Sequence, residues 1–411
     1  MHQLLPPLPN ELALLIAEYL HPKDLLAFLQ ALPQLAQILS TKHITQSDFA
    51  TKKGDPPILK GNSFIRGEYF FYADRTHVGN TILHAVAEAG DALVMKSHEE
   101  VVRLLLDRPI IEADAGCITL RTPLSYAAEN GHAAVARLLL NHSQVDLNSK
   151  DKNDATPLMW AALKGDRPSQ AAIARELLMC PEVDPDAAND MGDTPLGRAT
   201  MAGCTSLVEL LLERNANINS RNRHEHMTPL MLATSKGHTK VAELLLARSD
   251  VEVNAQSAYH KTALGHAAQG ARIEIIDLLL RRDNIDVNLG GQSPLSDASA
   301  CSKLGSEEAM NRLLAVSKVD VNSKGMSGGT PLIDAALFGF AGNVKSLLGR
   351  PDINVNAQTD DGLTALHCAT SRDRISVIAI LLDHPDIDVN CRNKDNETYL
   401  EYGSKYGFFQ A

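Results

Sequence analysis

The sequence predicts an all-α repeat protein, a solenoid of about nine repeats followed by a terminal half repeat. Three observations lead there. A phrase close to Thr-Pro-Leu-x-x-Ala returns with its first residue at Thr81, Thr122, Thr156, Thr194, Thr228, Thr262, Ser293, Thr330, Thr364 and Thr398. Five of the nine intervals are 34 residues, and self-similarity at a period of roughly 20–50 residues marks stacked repeats. A leucine pair and an asparagine return in the same register. The pairs are Leu139/Leu140, Leu211/Leu212, Leu245/Leu246, Leu279/Leu280, Leu347/Leu348 and Leu381/Leu382; the asparagines are Asn148, Asn254, Asn288, Asn322, Asn356 and Asn390.

The repeat beginning at Thr228 shows why each piece folds. Thr228 suits a helix N-cap, and Pro229 suits the first turn, where no backbone donor is needed. Leu230, Ala233 and Thr234 share one helical face, and their small neighbours let an adjacent helix approach. Gly237 supplies the left-handed residue that ends this first helix. A second helix carries Val241, Leu245 and Leu246, and after Asn254 a polar finger leads to the next threonine. One such unit cannot bury its own apolar faces, so neighbours must stack.

On these residues the chain resembles an ankyrin-repeat array from about residue 76 onward, with Thr-Pro-Leu intact at 122, 156, 194, 228 and 330. Extra residues are expected between the two helices at Asp91–Ser97, Arg167–Gln170 and Ser302–Ser306. The 31-residue repeat from Thr262 loses three residues from its finger at Leu289–Gln292, which should interrupt the row of fingers. The expected organisation is a helical segment at 4–40, a linker and aromatic cap at 41–75, ankyrin repeats over 76–397 and a half repeat with C-terminal cap at 398–411. Aromatic residues concentrate at both flanks (Phe64, Tyr69, Phe70, Phe71 and Tyr72; Tyr399, Tyr402, Tyr406, Phe408 and Phe409), where a solenoid needs covering.

Residues 4–39 do not follow the repeat. Leu12, Leu15, Ile16, Tyr19 and Leu20 form an apolar helical stripe, and a second helix from about Pro22 carries Leu25, Leu26 and Leu29. About 36 residues of helical hairpin make no self-sufficient core, so the segment docks on the array or awaits a partner. Leu8-Pro9, Glu11-Leu12, Ile16, Tyr19-Leu20 and Asp24-Leu25-Leu26 are similar to the F-box. That resemblance implies docking onto the adaptor of a cullin–RING ubiquitin ligase through Leu8, Pro9, Leu12, Ile16, Leu20, Leu25 and Leu26. Gln30–Leu39 lacks the Cys, Trp and Arg with which F-boxes continue, and a plain helical cap is the other reading of the segment.

Net charge is −11, which disfavours nucleic acid and anionic membrane as partners. The six cysteines form no C-x-x-C and no zinc spacing, and suit buried thiols in a reducing compartment. With no signal peptide or membrane span visible, the expectation is a cytoplasmic or nuclear monomer. No phosphate loop, nucleophile elbow or H-E-x-x-H is present, so no enzyme, cofactor or metal is expected. His84, His132, His238 and His367 fall where a histidine bonds backbone groups.

The expected activity is protein binding. Positions four and seven after each threonine point toward the concave side with the fingers. They include Tyr126, Trp160, Leu163, Arg198 and Met201, and Trp is enriched in binding hot spots. The same +4 place also packs between inner helices, so core is the competing role. The finger residues Arg221 and Arg223, with Tyr259 on the next finger, make a basic tip suited to an acidic partner segment, with a solvated loop as the competing reading. The function that joins both parts is substrate recruitment to a ubiquitin ligase, with the client on the ankyrin surface. The alternative is an ankyrin scaffold or regulatory binder unrelated to ubiquitination.

Overall fold

The computed structural model describes residues 102, 103, 106, 113–117, 119–163, 167–325 and 327–405. The chain forms two compact units, Met1–Asp190 and Met191–Ala411. Among the described residues all regular structure is helical. The segment 4–40, the flank 41–75, the first repeat's Asp91–Ser97 and the tail aromatics Tyr406, Phe408 and Phe409 lie outside the described residues.

In the first unit the helices are α1 (Pro123–Asn130), α2 (Ala133–Leu140), α3 (Pro157–Ala161) and α4 (Pro168–Met179). First helix packs on first helix, α1 on α3, and second on second, α2 on α4. The second unit continues with α5 (Pro195–Ala202), α6 (Thr205–Glu213), α7 (Pro229–Lys236), α8 (Thr239–Leu246), α9 (Ala263–Gln269) and α10 (Ile273–Leu280). It is completed by α11 (Pro294–Ser299), α12 (Ser306–Leu314), α13 (Pro331–Phe338), α14 (Ala341–Leu348), α15 (Ala365–Ser371), α16 (Ile375–Leu382) and α17 (Tyr399–Lys405). Within it the same alternation holds from α5·α7 through α15·α17.

The repeated phrase acts as anticipated. Every first helix from α1 to α15 begins on a Thr or Ser hydroxyl that accepts from the backbone N–H three residues on, as Thr228 does from Met231. All eight of these capping residues are buried. Losing such a bond inside the stack leaves a dry donor, which costs about 1 kcal/mol or more. Thr398 and Glu401 cap α17 reciprocally, the hydroxyl taking the Glu401 N–H and the carboxylate taking the Thr398 N–H at 2.7 Å. Gly237 ends α7 at φ +80, and a Cβ there would lie 2.7 Å from the Arg272 guanidinium of the next repeat. The left-handed backbone is what asks for glycine, since the long Arg272 side chain can shift.

The outer edge is tied by the asparagines. Asn254 donates to the Asn284 carbonyl at 2.7 Å and accepts the Asp286 N–H at 2.9 Å. Asn148, Asn288, Asn322 and Asn356 each make the same two-way bridge to the following repeat. Asn219, which the sequence pattern did not single out, makes it too. It sits in Ile218-Asn219, the equivalent of Val-Asn elsewhere, one residue early in the count.

Two expectations about length need correction. The residues added near Arg167–Gln170 do not lengthen a turn. They extend α4 to 12 residues against 8 in α2, because Pro168 opens the helix at its first turn and no glycine follows to stop it. Gln170, buried in that added turn, donates to the Glu129 carbonyl at the end of α1. The short finger at Leu289–Gln292 also stays joined to the one before it, through Gly291 N–H to the His260 carbonyl at 2.9 Å. The extra residues near Ser302–Ser306 do fall in the connection from α11 to α12.

Candidate protein-binding surface

The site is built from two sets of positions: the residue four after each Thr, on the first helix, and the tips of the fingers. They face one another. In the first unit the finger residue Asp151 accepts the Trp160 indole N–H at 3.1 Å; in the second the finger residue Lys261 reaches Asp297 on α11 at 2.7 Å.

In the first unit Tyr126 and Trp160 do not form an apolar strip. The Arg121 guanidinium lies over both rings, 4.0 Å from the Tyr126 centroid and 3.7 Å from that of Trp160, and its Nη2 binds Glu129 at 2.6 Å. Such cation–π contacts contribute about 0.5–2 kcal/mol each. Tyr126 is consequently buried, only 4% exposed, and belongs to the core. Trp160 is half-buried, with one edge fixed by Asp151, whose other oxygen accepts the Asn153 and Ala155 N–H groups. Leu163, at 40% exposure, is the open apolar residue of this group. The sequence signal for Arg121 was its place directly before Thr122, which brings it alongside the helix it precedes.

In the second unit Met201 is 36% exposed on α5, and Arg198 is half-buried, paired with Asp193 at 3.6 Å. Past Leu232, the +4 positions carry ionisable groups, His266, Asp297, Asp334 and Cys368. Burial and the Lys261 charge hold His266 down at about 4. Burial pushes Asp297 up to about 6 against the opposing pull of Lys261. Asp334 is likewise raised to about 6 by burial, helped by the Asp297 charge. The Cys368 thiol is driven up to about 12 by burial and Asp334, which keeps it protonated and un-nucleophilic at neutral pH. Gly265 makes room for this row, since a Cβ there would stand 2.7 Å from Asp297 Oδ2.

Of the histidines expected to bond backbone, His238 and His367 do so, and His84 lies outside the described residues. His238 Nε2 lies 3.1 Å from the Met201 carbonyl of the preceding repeat. His367 closes a capping box with Thr364 and reaches the Glu397 carbonyl at 3.1 Å; burial lowers its affinity for a proton. Among the described residues no group of three His, Cys, Asp or Glu side chains is placed to hold a metal ion, and no helix is long and apolar enough to cross a membrane. All six cysteines are free thiols.

The fingertips are open. Arg221, Arg223 and Tyr259 are exposed, Tyr259 by 68%. Arg221 donates to the Gln256 carbonyl at 2.8 Å and so ties its own finger to the next.

The model for ankyrin repeats in three copies matches overlapping stretches from residue 49 to residue 410, at 49–151, 91–189, 142–222, 167–257, 220–291, 298–393 and 332–410. The chain belongs to the ankyrin-repeat family. It is 40% identical over 79 residues to the 26S proteasome non-ATPase regulatory subunit 10 of Dictyostelium discoideum, which is 19% of this chain and 32% of that one. It is 30% identical over 125 residues to alpha-latrotoxin-Lh1a of Latrodectus hasselti, 30% of this chain and 9% of the toxin. The chain thus spans about a third or less of these relatives. The human ASB11 ankyrin repeat domain aligns at a TM-score of 0.48 and 25% identity, over 57% of this chain and all of that one. Ankyrin repeats hold other proteins, and the match brings protein binding with it as the general activity.

Proposed function

We propose that this ankyrin protein is a client-recruiting adaptor of a cullin–RING ubiquitin ligase. The client lies along the finger side of the first helices, and the segment at 4–40 docks on the ligase adaptor through Leu8, Pro9, Leu12, Ile16, Leu20, Leu25 and Leu26. It makes no bond itself and acts by holding client and ligase together. The observation that supports client binding is the exposure, in the first unit, of Leu163 next to the half-buried Trp160 and, in the second, of Met201 on α5, each seven residues after its Thr. Apolar side chains in that setting are ready to be covered by a partner. Tyr126 drops out of the contact set because it is core, while Trp160, Arg198, Arg221, Arg223 and Tyr259 remain in it. The ligase half rests on the F-box-like residues of the sequence.

Two substitution pairs test the halves separately. Tagged wild type is compared in cells with Leu163→Asp plus Met201→Asp, and with Leu12→Asp plus Ile16→Asp. The first pair is expected to strip the client set by roughly tenfold or more while keeping the ligase adaptor. The second is expected to do the reverse. An adaptor missing from the wild-type sample removes the ligase and leaves an ankyrin scaffold. A client set indifferent to the first pair removes this face as the contact.

A further inference from the structure

Every described finger needs a left-handed residue two places before the next Thr or Ser, except the shortened one. Asp154, Gly192, Gly328, Gly362 and Asn396 fill that place, types that accept the conformation well, and Leu120 fills it before Thr122 at φ +58. In two successive fingers the residue is histidine instead: His226 at φ +51 and His260 at φ +54. Glycine would serve the backbone at least as well, so the fold does not call for an imidazole at either position.

Both histidines open on one cleft. It holds about 490 Å³ between the two fingers and is lined by Arg221, Asn254, Gln256 and Ser257 besides the two histidines. Arg221 spans it to reach the Gln256 carbonyl, and Ala258 N–H to the Glu225 carbonyl at 2.7 Å ties the fingers together. The imidazoles of His224, His226 and His260 make no hydrogen bond among the described residues, and all three are exposed. Arg223 and the exposed ring of Tyr259 stand on the same two fingertips. Glu252 pairs with Arg221 at 3.5 Å at the edge of this group, on a chain whose net charge is −11.

We infer that this cleft is the docking site for an extended acidic segment of a partner protein. The inference rests on the protein-binding reading above and gives that partner a chemistry. Carboxylates of the segment fit the imidazole N–H groups of His226 and His260, each of which offers a donor in either protonation state, while Arg221, held by the Gln256 carbonyl and Glu252, lines the cleft beside them. Tyr259 covers the segment's apolar atoms. A peptide fits better than a nucleic acid, which needs many phosphate contacts and is repelled by the net charge of the chain.

The test is fluorescence anisotropy on the full chain with a fluorescein-labelled decapeptide of alternating Glu and Gly. The same peptide with Gln for Glu and a twelve-nucleotide single strand serve as comparison probes. Binding of the Glu peptide is expected to weaken several-fold between low and high salt. His226→Gly plus His260→Gly keeps the backbone conformation, so the fold is preserved, and is expected to weaken binding roughly tenfold. Lys240→Glu, exposed on α8, is expected to change nothing. The inference is overturned by absent binding, by equal binding of the Gln peptide, by equal binding to the double glycine variant, or by tighter binding of the oligonucleotide. None of these outcomes bears on Leu163 and Met201, so the broader function survives or fails independently.

Discussion

Two rows of equivalent positions follow the repeat, and they have opposite characters. The asparagine row is almost invariant: Asn148, Asn219, Asn254, Asn288, Asn322 and Asn356 make the same pair of bonds at nearly the same distances. The row four residues after each Thr holds no common residue, and only Asp occurs in it more than once besides Tyr. It reads Tyr126 and Trp160 in the first unit, then Arg198, Leu232, His266, Asp297, Asp334, Cys368 and Tyr402 in the second. One row is held constant because each repeat must hand the same two hydrogen bonds to the next. The other is free to vary because stacking requires only that its side chains fit. What is particular to this molecule therefore sits in the second row and at the fingertips, and the groups found there are ones that stacking alone would not select.

The sharpest way to break this comparison is at Asp334. Burial raises its carboxyl to about 6 from an ordinary value of 3.8, with Asp297 adding to the rise and Ser296 opposing it. The folded state therefore holds the proton more tightly than the unfolded chain. Stability contributed by that proton is present below the unfolded value and lost as pH rises through about 6. Asp334→Asn is expected to stabilise the protein by about 1–3 kcal/mol at pH 7.5, with the gain fading toward pH 4. His266 titrates in the opposite sense but is common to both proteins and cancels in the difference. Urea midpoints at the two pH values decide it. A variant no more stable at pH 7.5 would show that Asp334 is tolerated at no cost, and the contrast between the rows would shrink.

Much of the constant row and its supports was legible in the sequence, because a period exposes whatever every repeat must satisfy. Thr-Pro-Leu gave the caps, and Gly237 gave the left-handed stop. The reading failed where one repeat departs from the rule. In the repeat from Thr262 the glycine comes a place early, Gly270 stays at φ −83, and Ala271 takes the left-handed conformation. At Arg167–Gln170, counted as turn, Pro168, Ser169 and Gln170 are helix and Arg167 is its N-cap. The varied row was legible as positions and not as interactions. Nothing in a 34-residue beat says that Arg121 reaches the ring of Trp160, or that the Lys261 side chain of one finger ends on Asp297 of the next repeat. Long side chains choose partners across repeats by local geometry, which the period does not encode.

The asparagine row gives the second prediction, smaller and opposite in sign. Asn322 donates to the Asp352 carbonyl at 2.8 Å and accepts the Asn354 N–H at 2.8 Å. Asn322→Ala is expected to cost about 1–2 kcal/mol, two solvent-edge hydrogen bonds. Asn322→Asp keeps the acceptor but sets a carboxylate oxygen against the Asp352 carbonyl in place of the donor, and should cost at least as much. Chemical unfolding of the three proteins measures both steps. An alanine variant as stable as wild type would remove the structural reason for the row's constancy.

The smallest effect is expected at Trp160, where the two rows come nearest in character. Its ring packs under Arg121 and its indole N–H is bonded to Asp151 at 3.1 Å, yet the side chain is only half-buried. Trp160→Phe retains a ring for the guanidinium and removes the hydrogen bond. Asp151 keeps its two backbone partners, so the loss is expected at about 0.5–1 kcal/mol, a shift of a few degrees at most in the thermal midpoint. Arg121→Gln in the same background measures what the stack adds. A loss well above 2 kcal/mol for Trp160→Phe would make this tryptophan a structural keystone and withdraw it from the contact surface. A small loss leaves it as a ring held rigid by its neighbours with one face still open, which is the arrangement that favours a binding contact, because little side-chain freedom is left to lose when a partner covers it.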